Sequence, residues 1–191
     1  MIQFASLGSG SAGNALLVEA GETCLLVDCG FGLAEVTRRL AVLERTPAAL
    51  SGILLTHEHS DHVKGAAALA ARYSLPVWAS HGTIAACNLS SDLDVRVVDS
   101  HDAFVIGDIE IQPFPVPHDA REPIQFVFAT QGRRLGLLTD VGEITPHIRK
   151  SLAGVDALVL EFNHDAGMLA ASRYPEFLKR RIAGRFGHLG N

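Results

Sequence analysis

Two hydrophobic periods alternate along the chain. Ile2–Ser6, Ala15–Glu19 and Thr23–Asp28 have the length and aliphatic content of strands, and the last two predict a hairpin across Ala20-Gly21-Glu22. Leu33, Val36, Leu40 and Leu43 then recur at helical spacing, and Pro47 closes that element. Gly52–Thr56 reads as a short buried strand, Val63–Tyr73 as an alanine-rich helix, Pro76–Ala79 as a strand and Thr83–Leu89 as a helix. From Val95 to Thr139 the pattern predicts a β-meander: Val95–Val98, Ala103–Ile106, Ile109–Val116, Ile124–Thr130 and Arg134–Thr139, with turn chemistry at Gly107-Asp108 and Gln131-Gly132. A helix near Pro146–Leu152, a strand Ala157–Phe162 and a helix near Pro175–Arg185 follow. Strand runs broken by helices predict a mixed-sheet α/β sandwich, one domain over residues 1–191, rather than a pure parallel repeat.

Composition narrows the class. Of 191 residues, 48% are hydrophobic and 19% charged, which excludes disorder and allows a sizeable core. No apolar run approaches a membrane span. Met1-Ile2-Gln3-Phe4 lacks the pattern of a signal peptide, so the expected compartment is the cytoplasm. Cys24, Cys29 and Cys87 read as reduced thiols, because Cys24-x4-Cys29 has no second pair to complete a zinc site. The net charge of −5 is uneven: Arg173, Lys179, Arg180, Arg181 and Arg185 face only Glu176 within residues 171–191. Such a chain is not a general polyanion binder, while its basic tail suits a solvated helix face or a local phosphate contact.

Two segments carry candidate chemistry. Gly8-Ser9-Gly10-Ser11-Ala12-Gly13-Asn14 follows a strand, but it lacks the Lys-Ser/Thr end of a P-loop and leads into the strand-like Leu16-Leu17-Val18. No helix N-terminus awaits a nucleotide phosphate there. The loop instead reads as a tight connection that leaves room beside a neighbouring site.

The stronger segment is His57-x-His59-x-Asp61-His62. Side chains two apart on extended backbone face one way, so His57 and His59 can grip one cation. Asp61 and His62 lie where a helix begins, and the turn can aim them at a second cation. Imidazoles with a carboxylate suit Zn²⁺, Mn²⁺, Fe²⁺ or Co²⁺ rather than Ca²⁺ or Mg²⁺. His118, after the strand ending at Val116, and Asp140, after Leu135–Thr139, sit at later strand ends. They complete a set with His57, His59 and His118 on one metal, Asp61 and His62 on the other, and Asp140 bridging. Asp28, which ends Leu25-Leu26-Val27, is placed to orient a ligand histidine from behind.

Together these residues resemble the metallo-β-lactamase fold. Ser6-Leu7-Gly8-Ser9-Gly10-Ser11 with Gly13-Asn14, Thr56–His62, Glu161-Phe162-Asn163-His164-Asp165, Tyr174-Pro175 and Gly187-His188-Leu189-Gly190-Asn191 are similar to the YycJ/WalJ-type subfamily, a likeness running from residue 2 to the last. The resemblance implies an α/β, αββα four-layer sandwich with a dinuclear metal site, and a 5′-to-3′ exonuclease acting on DNA. By its motifs the ligands are His57, His59, Asp61, His62, His118 and Asp140, with two divalent ions, Zn²⁺ or Mn²⁺. By analogy with related tRNA-processing ribonucleases, His188 is a candidate general acid. His164 falls in a family motif without an assigned role. Phe162 stands where the subfamily usually has a small polar residue, and Gly190 where it often has serine.

The family pattern continues past Gly-His-Leu to a last histidine that completes the second metal, so a shortened C-terminal end is expected here. On that expectation His188 substitutes or the second site is incomplete. The implied chemistry is attack on a phosphodiester between two cations, with Asp119 or His188 handling the leaving-group proton. Two readings compete: a small-molecule hydrolase (thioesterase or phosphodiesterase) on the same scaffold, and a metal-binding protein without activity.

Overall fold

Two rows of side chains explain the first sheet. The computed structural model describes residues 1–87 and 89–191. Its strands are β1 (Gln3–Gly8), β2 (Ala15–Ala20), β3 (Thr23–Val27), β4 (Gly52–Leu54), β5 (Val77–Ala79) and β6 (Val95–Val97), side by side in that order. β1, β2 and β3 are antiparallel neighbours, and β3 through β6 run parallel. In register, Leu17, Leu26, Ile53 and Val77 form one row, and Leu16, Val27, Leu54 and Trp78 the next. Because side chains alternate across a strand, the two rows face opposite ways. The first row packs under helices α1 (Leu33–Val42) and α3 (Ala66–Tyr73), which bury Val36, Leu40, Ala66, Leu69 and Ala70 against it. The second faces the other sheet.

That second sheet has the order β11 (Ala157–Leu160), β10 (Arg133–Leu138), β9 (Ile124–Thr130), β8 (Ile109–Pro115) and β7 (Phe104–Ile106). Phe104, Ile111, Phe128, Leu135 and Ala157 form a row across all five strands and meet the first sheet. On the opposite face Val127 and Leu138 pack with Ile148 of α5 (Pro146–Ser151). Helices, sheet, sheet and helix therefore stack as four layers around three apolar cores. Each fully buried aliphatic side chain contributes about 1.5–3 kcal/mol relative to exposure.

Several elements differ from the sequence expectation. Val95–Val97 leaves the expected meander and pairs parallel to β5, because α4 (His81–Cys87) carries the chain over as a crossover between parallel neighbours. The α4 helix begins two residues earlier than expected, and the expected extension through Asn88 reaches outside the described residues. The expected helix Val63–Tyr73 is split into α2 (Ser60–Val63) and α3. Gly65 sits at the break, its N–H donating to the Cys29 carbonyl at 2.8 Å, and a Cβ there would overlap the Phe31 carbonyl. A further helix, α6 (Ala166–Ala171), was not anticipated, although Asp165 caps it by accepting from the Met168 N–H at 2.8 Å. The last helix, α7, is the shorter Glu176–Ile182. Among the described residues, no helix is long and apolar enough to cross a membrane. The three cysteines are free thiols, and burial pushes Cys24 and Cys29 up to about 12.

Candidate metal centre

The site lies where strands of both sheets end. Asp28 follows β3, Thr56 and His57 follow β4, His118 follows β8, Asp140 follows β10 and Glu161 follows β11. Past the end of β4, His59 is itself extended, with φ −62° and ψ 143°. The helical turn at Ser60 then swings Asp61 and His62 to another direction. A neighbouring loop pins this turn: the Asn14 N–H donates to the Asp61 carbonyl at 2.7 Å, and the Cys29 N–H to the His62 carbonyl at 2.6 Å. Gly30 must be glycine for this approach, since a Cβ would overlap the Asp61 carbonyl.

Three imidazoles meet with their lone pairs inward. The Thr56 hydroxyl donates to Asp28 Oδ2 at 2.8 Å, so it accepts from His57 Nδ1 at 3.0 Å. That leaves His57 Nε2 as an acceptor, and it is buried without any hydrogen-bond partner. His59 Nε2 donates to the Asp119 carbonyl at 3.2 Å, which turns its bare Nδ1 inward. His118 Nδ1 donates to the Gly187 carbonyl at 3.0 Å and leaves Nε2 bare, 3.3 Å from His59 Nδ1. The ligand atoms of His57, His59 and His118 all lie within 4.8 Å of one another. Converging lone pairs repel unless a cation sits among them, so this donor set fits a divalent metal ion. Burial holds the His57 and His118 imidazoles below the usual range, in the neutral form that a metal requires.

A second grouping centres on Asp140. Its Oδ2 lies 2.7 Å from His62 Nε2 and 3.5 Å from His57 Nε2, while its Oδ1 lies 3.6 Å from His188 Nδ1. Asp140 thus belongs both with His57 and His62 and with Glu161 and His188. Burial opposes its charge, yet hydrogen bonds from His188 and His62 hold the carboxyl far below the usual range. Its backbone has φ 37°, the left-handed region, which turns the chain at the strand end and aims the carboxylate inward. Burial also opposes charge on His62, but the Asp28 and Asp140 carboxylates outweigh it and raise the imidazole to about 10. Hydrogen bonds to Asp140 and Glu161 raise His188 likewise to about 10.

The remaining expected residues occupy the rim. Asp61 accepts from Asn14 Nδ2 at 3.2 Å, and its Oδ2 is 3.7 Å from His62 Nε2. Asp119 lies 3.4 Å from His118 Nε2 and is paired with Arg181 of α7. Burial opposes ionisation of Asp119, but the Arg181 guanidinium keeps its carboxyl below the usual value. His164 stands apart, in an isolated bridge with Gly190. Glu161 was missed as a site residue although its segment had been singled out. Its Oε1 accepts from His188 Nδ1 at 2.7 Å, and its Oε2 accepts from the N–H groups of Val141 and Leu189 at 3.1 and 3.3 Å.

Comparisons agree with this geometry. The sequence model of the β-lactamase superfamily domain matches residues 23–189. Exodeoxyribonuclease YycJ of Bacillus anthracis is 40% identical over 195 residues, covering 100% of this chain and 74% of the relative. Exodeoxyribonuclease WalJ of Streptococcus pneumoniae is 36% identical, covering 99% of this chain and 72% of the relative. Among solved structures, Zn²⁺-bound PqqB from Methylobacterium extorquens superposes with a TM-score of 0.76 at 17% identity, over 100% of this chain and 81% of that one. The chain therefore belongs to the β-lactamase superfamily, as a YycJ/WalJ-type member of the metallo-β-lactamase fold.

Proposed function

We propose that this chain is a metal-dependent exodeoxyribonuclease that removes nucleotides from DNA in the 5′-to-3′ direction, in the cytoplasm. The observation that carries the reading is the convergence of the bare nitrogens of His57, His59 and His118 beside Asp140. His57 Nε2, His59 Nδ1 and His118 Nε2 would hold one divalent ion. His62 Nε2, Asp61 and Asp140 would hold a second, with Asp140 shared and Zn²⁺ or Mn²⁺ as the ions. Bound there, such ions supply Lewis acidity toward a phosphoryl oxygen and acidify water near neutral pH. The YycJ and WalJ relatives, which match 99–100% of this chain, are named exodeoxyribonucleases, which favours DNA over a small-molecule substrate. The free thiols are in keeping with a reducing compartment.

The chain's own residues divide the remaining work. Asp28 and Thr56 hold the His62 and His57 rings from behind, so little reorganisation accompanies binding. Arg181 faces the same cavity as His59, Asp61 and His188, where its guanidinium can pair with a substrate phosphate. Asp119 is held ionised, so it orients water rather than acting as the acid. His188, held by Glu161 and facing the same cavity, would supply the proton to the leaving oxygen.

The test is release of mononucleotides from 5′-phosphorylated DNA by Zn²⁺- or Mn²⁺-loaded protein, with elemental analysis of bound metal. Two ions per chain and nucleotide release are expected, with release falling to background in His59→Ala. Full activity in that variant would overturn the assignment.

A further inference from the structure

Two cavities adjoin the centre, and both reach Asp61, Asp140 and His188. The first, about 380 Å³, includes Arg181 of α7 on its wall, paired there with Asp119. The second, about 360 Å³, includes Ser9, Gly10, Ser11, Phe162 and Asn163, and among its described lining residues there is no lysine or arginine. An exonuclease holds many phosphates on one side of the scissile bond and one departing nucleotide on the other. Arg181 gives the first side a guanidinium for the strand's phosphates, beside the carboxylates of Asp61, Asp119 and Asp140. Beside the Glu161 carboxylate, the second side offers the hydroxyls of Ser9 and Ser11, the amides of Asn14 and Asn163 and one aromatic ring, groups that can receive a sugar and a base.

Phe162 is one of several exposed aromatic residues, with Phe177 and Phe186, and it lines the second cavity. It is 68% exposed, whereas Phe114, Phe126 and Phe128 are fully buried in the core. It immediately follows Glu161, which anchors His188, so its position relative to the centre is fixed by that contact. We propose that Phe162 is the stacking platform for the base of the terminal nucleotide, while the rest of the strand runs along the α7 side. The assignment rests on the exonuclease reading above and deepens it: Phe162 becomes a specificity-determining residue. Stacking tolerates any base, so it adds affinity for a base-bearing end without sequence preference.

The experiment uses Zn²⁺-loaded protein and two short 5′-phosphorylated oligonucleotides labelled at the 3′ end, with a phosphorothioate at the first linkage. One carries a 5′-terminal thymine and the other an abasic 5′-terminal residue. Anisotropy titration is expected to give wild type about tenfold tighter binding of the base-bearing end. Phe162→Ala should abolish that preference and Phe162→Trp should retain it, with binding of the abasic end unchanged in both. Equal binding of the two oligonucleotides by wild type overturns the proposal, as does an undiminished preference in Phe162→Ala. Unmodified DNA separates the two ideas. A Phe162-dependent preference without nucleotide release supports the platform and overturns the exonuclease reading. Release of nucleotides with no base preference overturns the platform alone.

Discussion

Asp28 Oδ2 lies 2.7 Å from His62 Nδ1, and both side chains are almost wholly buried. The same carboxylate accepts the Thr56 N–H at 2.9 Å and the Thr56 hydroxyl at 2.8 Å. One buried acid thus fixes the rotation of His62 directly and that of His57 through Thr56. Its backbone φ of 60° turns the chain inward at the end of β3, which brings the carboxylate under both rings.

This arrangement predicts the effect of Asp28→Asn. The amide oxygen can still accept from His62 Nδ1, but the charge that favours the metal-binding tautomer is lost. Zn²⁺ affinity, measured by competition with a chromogenic chelator, is expected to fall about 10- to 100-fold. The replacement is nearly isosteric, but its NH₂ then faces the Thr56 N–H, so a stability loss of about 1–3 kcal/mol should accompany it in thermal unfolding. Unchanged affinity would show that Asp28 does not support the ligands.

Metal uptake should release protons. In the ion-free chain, His62 and His188 are both raised to about 10 and so are charged near neutral pH. Because both folded values lie above the ordinary imidazole value of 6.5, their ion pairs stabilise the ion-free fold fully below that value. The contribution is lost as pH rises through about 10. A cation beside Asp140 instead needs His62 Nε2 bare, so binding competes with that proton. Calorimetric titration with Zn²⁺ in buffers of different ionisation enthalpy should report net proton release near pH 7, and affinity should be higher near pH 8 than near pH 6. Uptake without proton release would contradict a role for His62 as ligand.

The sequence revealed the centre unevenly, for physical reasons. His57, His59 and His62 lie within one strand end and one helical turn, so local geometry alone suggests that they meet, while Asp61 of the same turn stays at the rim. The apolar rows of both sheets were legible because alternation survives in the sequence. The placement of Val95–Val97 was not, because its partner Val77 lies across a helical crossover and strand pattern carries no record of the partner. The break at Gly65 depends on contact with Cys29 and Phe31, which are distant in sequence. Glu161 was hidden for a similar reason: it reaches the centre through the pairing of β11 with β10, and an acid after a strand is no signal by itself.

That contact supports a last prediction, because Glu161 does two separable things. Its Oε2 accepts the N–H groups of Val141 and Leu189, which are structural, and its Oε1 accepts from His188 Nδ1. In Glu161→Ala both are lost, leaving two part-buried N–H groups unpaired, and a stability loss of about 1–3 kcal/mol is expected in thermal unfolding. In Glu161→Gln the amide oxygen can keep the two backbone bonds, while its NH₂ now faces His188 Nδ1 and donates to it. Stability should then stay within about 1 kcal/mol of wild type. The His188 pKa should fall because one of the two carboxylates holding it up is gone, and the ring should lose its Nδ1 proton while keeping the one on Nε2. Imidazole ¹⁵N shifts of the metal-free protein report both changes, independently of activity. If Glu161→Gln left the His188 tautomer and titration as in wild type, Glu161 would be a backbone anchor only, and His188 would owe its charge to Asp140.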